Sequence, residues 1–163
     1  EAAVPSAPPS AKAEPLFASD EEALAAAEAA FERYLDVSFA VLADGGTEPE
    51  RLEEVSTGEI LENDLAQAEE YRERGLKQTG DPVVLETALQ SYNGGDVSDA
   101  EVTVYSCLDS FSVQAVDQSG NPVGDSNRQP TVTIENVFVA GPEGELLLSE
   151  SSLWEAGPAC ELS

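Results

Sequence analysis

Catalysis and metal binding need particular residue types, and this 163-residue chain is sparing with them. It contains no histidine, so the commonest general base and the commonest metal ligand are both missing. Its two cysteines, Cys107 and Cys160, stand far apart, with no CxxC or zinc-type spacing around either. Without histidine they make a poor metal site, and no base is at hand to activate a thiol. An even cysteine count in a chain that reads as exported favours a disulfide. Closing that loop would stabilise the fold by roughly 4 kcal/mol, by restricting the unfolded chain. The alternative is two free buried thiols. The groups left for acid–base or hydrogen-bonding work are Tyr34, Asp36, Tyr71, Tyr92, Tyr105 and Asp109. Tyr34 and Tyr71 recur on helical stripes, where core packing is the plainer reading. Asp109 closes a β-rich run, where a turn role is plainer. Trp154, the single tryptophan, is either core or a stacking platform for a ligand.

Motifs that carry chemistry by themselves are missing. There is no GxxxxGK[ST], GxGxxG, GxSxG or HExxH in the chain. The acidic loop Asn93–Asp99 lacks the alternating ligands and closing glutamate of a calcium hand. Adjacent acids such as Glu53 and Glu54, or Glu69 and Glu70, belong on solvated helix faces, whereas glycoside hydrolysis needs two carboxylates facing each other across a cleft. Arg33, Arg51, Arg72, Arg74 and Lys77 fall in the helical half and read as ion-pair partners rather than an anion site. No cofactor, no metal and no catalytic residue is expected from these patterns.

Charge narrows the partners. The chain carries 33 acidic and 7 basic residues, a net charge of -26. Such a surface repels phosphate backbones and anionic lipid headgroups, so nucleic acid and bare membranes are excluded as partners. A cationic partner or divalent cations stay open. No run of 18 apolar residues exists to cross a bilayer. The plainest reading of the charge is solubility.

The elements that would position these residues can be placed from periodicity. Residues 1–18, with Pro5, Pro8, Pro9 and Pro15 among alanine and serine, cannot bury a core and read as an extended tether. The chain opens on Glu1 rather than Met, as expected where an export signal has been removed. A lipid-modified cysteine before Glu1 would give the tether its purpose. Residues 19–163 read as a single domain, a length that suits one core. Ser19-x-x-Glu22 predicts a capped helix, carried by Leu24, Ala27, Phe31, Leu35 and Leu42 and stopped at Gly45-Gly46. Thr47-x-x-Glu50 and Ser56-x-x-Glu59 predict capped starts for a short second helix and a third one. Leu61, Leu65, Ala68 and Tyr71 form the stripe of the third, and Gly75 caps its end. Thereafter Val83–Tyr92, Ala100–Leu108, Phe111–Val116, Thr131–Val139 and Glu145–Trp154 read as strands, separated by turns at 93–96, 119–121 and 141–144. Pro122–Gln129 reads as mobile. Helices first and hairpins afterwards predict an α+β layer fold with an antiparallel sheet.

This order, together with Val102-Thr103-Val104-Tyr105-Ser106-Cys107-Leu108-Asp109 and the terminal Gly157-Pro158-Ala159-Cys160, resembles the NTF2-like (cystatin-related cone) fold. It is similar in particular to secreted actinobacterial lipoproteins of that type. The resemblance implies helices closing the wide side of a curved sheet, a disulfide pinning the tail to that sheet, and Tyr34, Tyr71 and Trp154 lining a pocket. It implies pairing of two copies through the open sheet face. Enzymes of the fold, polyketide cyclases and ketosteroid isomerases, work inside the cone with an aspartate or histidine base and a tyrosine or acid donor; that is the alternative function. The leading expectation is a non-catalytic, extracytoplasmic module, tethered at the cell surface or secreted, that binds a small apolar ligand or an envelope protein.

Overall fold

The computed structural model of the chain describes residues 16–93, 99–124, 130–154 and 160. Helix α1, Asp20–Ala43, is followed by a 3-10 helix, Pro49–Glu54, and by α2, Gly58–Arg74. Seven strands follow: β1 Lys77–Thr79, β2 Val83–Asn93, β3 Glu101–Asp109, β4 Gln114–Val116, β5 Pro122–Val123, β6 Thr131–Ala140 and β7 Leu146–Leu153. They form two antiparallel sheets, a four-stranded one in the order β2-β3-β6-β7 and a three-stranded one in the order β1-β4-β5. The chain is therefore α+β, with its helices packed on antiparallel sheets.

Helix α1 forms where its cap says it should. The Ser19 hydroxyl accepts from the Glu22 N–H at 3.2 Å, and the Glu22 carboxylate accepts from the Ala18 N–H at 2.9 Å. The first bond satisfies a donor that the first turn leaves free, and the second ties down the residue before the cap. Asp20, Glu21 and Glu22 put negative charge at the positive end of the helix dipole. The buried side of α1, with Ala23, Ala27, Ala30, Phe31 and Leu35, lies on Val102, Val104, Phe138 and Leu148 of the large sheet. Small alanines let the helix approach the sheet closely, and Phe31 meets Phe138 edge-on at 6.5 Å. Leu16 and Phe17, read above as the end of the tether, pack against this core. The Phe17 N–H donates to the Tyr92 hydroxyl at 2.9 Å. Residues 1–15 lie outside the described residues.

The other two predicted caps form differently. Thr47 donates to the Asp44 carbonyl, and the 3-10 helix starts after Glu48 in a left-handed conformation (φ 49°) with no side-chain cap. Ser56 is buried and donates back to the Leu52 carbonyl, while α2 starts one residue later, after Thr57, without a side-chain cap. For Ser56 the reason is tertiary. Ser56 bridges Leu148 in parallel, with the Leu148 N–H on the Val55 carbonyl and the Thr57 N–H on the Leu148 carbonyl. This segment covers part of the open edge of β7, where unpaired groups would otherwise invite another strand. Gly75 ends α2 in the left-handed region, as expected. Gly46 is fixed by contact as well as by its φ of +83°: a Cβ there would collide with the backbone carbonyl of Ala68, where α1 and α2 are joined.

The strand expectations hold for the large sheet and fail for the small one. Phe111 and Ser112 are not in a strand. The Asp109 carboxylate accepts from the Phe111 N–H at 2.9 Å, and the Val113 N–H reaches back to Ser110. That turn redirects the chain, so β4 begins only at Gln114 and pairs with β1, a strand that periodicity did not show. The start of the 122–129 segment is β5; residues 125–129 lie outside the described residues, as do most of the predicted turn 93–96 and of the 157–160 run.

Candidate functional site

Two clefts flank β1 and share one residue, Gln78. The first has a volume of about 530 Å³ and lies between the end of α2, the small sheet and the turn after β3. Tyr71, Val113, Ala115 and Val123 supply its apolar wall, and Phe111 stands at its mouth. Phe111 is 79% exposed, the most exposed large apolar side chain described. Among the described residues none lining this cleft is charged, although the chain carries 33 acids. Tyr71 donates to the Gln78 side-chain oxygen at 3.5 Å. Burial, and then the Glu70 carboxylate, hold the Tyr71 phenol above its ordinary range, so it stays a hydrogen-bond donor. The Gln78 amide nitrogen is buried and has no hydrogen-bond partner among the described residues. A buried unpaired donor is costly to the protein alone. The cleft therefore offers a mixed lining, apolar from Val113, Ala115 and Val123 and polar but uncharged from Tyr71, Gln78, Ser112 and Gln114.

The second cleft, of about 670 Å³, runs between the last three turns of α1 and the β1–β2 connection. Its lining mixes Leu35, Phe39, Pro82 and Val83 with the carboxylates of Glu32, Asp36 and Asp81.

The three residues expected to share a pocket do not share one. Tyr71 lines the first cleft. Tyr34 lies between the two helices instead, where its hydroxyl donates to the Asp64 carboxylate at 2.8 Å and its ring stacks on Phe31. Trp154 packs on Tyr105, ring centroids 4.6 Å apart. Val102 and Val104 of β3 face α1, so Tyr105 and Cys107, odd in the alternation, face the other way. Trp154 therefore belongs to the helix-free side of the sheet. The disulfide joins Cys107 to Cys160 on that side, across 53 residues of sequence. The Cys160 N–H donates to the Thr133 hydroxyl and the Trp154 N–H to the Thr133 carbonyl, both at 2.9 Å. Tyr105 has its phenol pushed up by burial and by the neighbouring Glu135. Tyr92 ties down Phe17, and Asp109 makes the turn described above. Asp36 lies on the second cleft. Two of the expected ion pairs form, Arg51 with Asp44 and Arg74 with Glu70.

Tyr34 and Asp64 are the one tyrosine–carboxylate pair described with both members strongly perturbed. Burial pushes the Asp64 carboxyl up to about 6, against the opposing hydrogen bond from Tyr34. Burial first, and then Asp64, push the Tyr34 phenol up. A tyrosine beside a raised carboxyl could in principle move protons. The hollow beside Asp64, walled by Ser38, Val41 and Leu52, measures about 10 Å³. That is room for one water at most, so the pair joins α1 to α2 rather than meeting a substrate. Its effect on stability has a definite sign. Protonated Asp64 is favoured by the fold, so the contribution is complete below its ordinary 3.8 and is lost as pH rises through about 6. Asp64→Asn keeps an acceptor for Tyr34 and removes the titration. Urea unfolding from pH 4 to 7.5 should show the variant gaining about 1–2 kcal/mol on the wild type across that window, after allowance for partial solvent screening.

The fold and clefts define an α+β domain whose helices cover one face of antiparallel sheets and leave two open clefts beside the small sheet. No protein-family model matches the chain, and no curated protein matches it. Its structure is similar to the intermembrane space region of the chloroplast protein ARC6, at 18% identity and a TM-score of 0.57, covering 80% of this chain and 95% of that one. It is also similar to a Catenulispora acidiphila protein in complex with S-DNPA, at 17% identity and a TM-score of 0.49, covering 79% and 92%. At these identities the first likeness speaks to the fold alone.

Proposed function

We propose that the domain is a non-catalytic, extracytoplasmic binding module that takes a small apolar ligand in the cleft between Tyr71 and Phe111. The observation that carries this reading is a cleft with no charged side chain among its described lining residues and an exposed phenylalanine at its mouth, in a chain of net charge -26. A lining of apolar and neutral polar side chains suits ligands that bring little charge, held by Tyr71 and the Gln78 amide, which has no partner among the described residues. The extracytoplasmic part of the reading is supported by the Cys107–Cys160 disulfide, since such bonds persist in oxidising compartments. The Pro/Ala/Ser-rich N-terminus would then hold the domain away from an anchoring surface, in an NTF2-like lipoprotein arrangement. A cyclase or isomerase role needs a raised carboxyl inside a substrate-sized cavity, and the raised carboxyl described, Asp64, adjoins a hollow of about 10 Å³.

Nile red, a neutral apolar dye, tests the reading by fluorescence titration. The expected result is saturable binding, with a Kd on the order of 10 µM for a ligand of that size. Ala115→Trp should fill the cleft and abolish it, and Phe111→Asp should weaken it about tenfold by placing a charge at the mouth. Dye binding that is absent in the wild type, or untouched by Ala115→Trp, would overturn the proposal.

A further inference from the structure

We infer that the second cleft, between α1 and the β1–β2 connection, is a docking groove for a basic amphipathic helix of a partner protein. Three features point to that chemistry. The first is shape: Phe39 and Ala43, four residues apart at the end of α1, stand over the buried Leu35 and form a short helical ridge along the wall. Such a ridge is complementary to the groove between rows of side chains on a second helix. The second is the apolar surface left open. Val83 on the opposite wall is 53% exposed, and Phe39 is only half-buried although it belongs to the edge of the core. The third is charge. Glu32 and Asp36 lie one turn apart on α1, a like-charged spacing that disfavours the helix by itself, and Asp81 faces them across the cleft. None of the three makes an ion pair among the described residues, and no basic side chain described lines the cleft. The chain, with 7 basic residues in all, leaves this rim to be neutralised from outside. A partner helix with leucine-like anchors on one face and lysine or arginine beside them satisfies the floor and the rim together. Either feature alone would select something less specific: an apolar floor any oily surface, an acidic rim any cation.

This inference goes beyond the apolar-ligand reading and involves different residues, so each can fail without the other. The probe is a synthetic leucine–lysine amphipathic helix of about 18 residues, long enough to hold helical structure. Its fluorescence anisotropy is followed on titration with the folded protein in about 150 mM salt, where diffuse long-range attraction is screened. Because the whole protein is acidic, the decisive comparison is between charge-matched variants. Glu32→Lys/Asp36→Lys should weaken binding by about tenfold or more, and Glu69→Lys/Glu73→Lys, on the exposed side of α2, by less than about twofold. Val83→Ser, which keeps every charge, should weaken it about threefold. A scrambled peptide of the same composition, with no apolar face, should bind far more weakly than the amphipathic one. Equal losses in the two double-lysine variants, or equal binding of the scrambled peptide, would overturn the inference and leave only non-specific counter-ion attraction. Circular dichroism melts confirm that each variant is folded before it is titrated.

Discussion

Replacing Cys107 and Cys160 together with serine is expected to lower stability by roughly 4 kcal/mol. The bond closes a 53-residue loop, so its loss returns freedom mainly to the unfolded chain. The folded chain loses something as well. The last strand ends at Leu153, and from there Trp154 and Cys160 are held to the helix-free face through Thr133 and Tyr105. These contacts are few, and without the covalent tie their ordering cost is harder to meet. Equilibrium urea unfolding of wild type, double-serine variant and reduced wild type measures the difference. The variant and the reduced protein should coincide within error, because both remove one constraint. Neither cleft is lined by Cys107, Thr133, Trp154 or Cys160. Below the unfolding transition, Nile red should therefore bind the double-serine variant with unchanged affinity. A loss of dye binding in a fully folded variant would mean that the two faces of the sheet are coupled in a way their separation does not suggest.

Phe138→Ala should cost about 3–5 kcal/mol. Phe138 is fully buried at the centre of the large sheet, beneath Phe31 of α1. Its neighbours Val102, Val104 and Leu148 come from three-stranded backbone ladders that cannot close on the vacated space without breaking register. The lost transfer energy and the unfilled volume therefore add. Chemical denaturation gives the size of the effect. A cost under about 1 kcal/mol would mean that α1 is not seated on the sheet at this point.

What could be read from the sequence and what could not follows from how local each determinant is. Helix α1 was legible because Ser19 and Glu22 make their hydrogen bonds within one turn and the apolar stripe repeats at 3.6 residues. The large sheet was legible because β3 and β6 are β-branched and long. Thr47 and Ser56 carry the same local pattern as Ser19, yet their hydroxyls bond to carbonyls behind them. For Ser56 the difference comes from Leu148, more than 90 residues later by the numbering, which draws Val55–Thr57 onto the edge of β7. Nothing near Ser56 encodes that contact. Likewise Lys77–Thr79 has no strand signature and becomes β1 only because Gln114–Val116 pairs with it. Phe111 looks like the start of a strand by type, and the Asp109 carboxylate turns it into the tip of a loop.

The clefts show the same division. Tyr71 was visible as a stripe residue, and the structure adds that its hydroxyl end reaches a cleft. Gln78, Ala115 and Val123 arrive from three short strands of a sheet that exists only in tertiary context, so no spacing could have grouped them. The acidic rim of the second cleft was hidden for the opposite reason. Glu32 and Asp36 are two acids among 33, and only their place opposite Asp81, above an apolar floor, sets them apart. By residue type Tyr34 and Trp154 are as plausible pocket residues as Tyr71. Their partners, Asp64 across the helix pair and Tyr105 across the sheet, put them in separate surroundings.

Methyl-resolved NMR during addition of a neutral apolar probe examines the binding surface atom by atom. The account predicts saturable shifts concentrated on Val113, Ala115 and Val123, with Val102 and Val104 of the main core unmoved. Shifts centred on the core valines, or spread evenly over the surface without saturation, would contradict it.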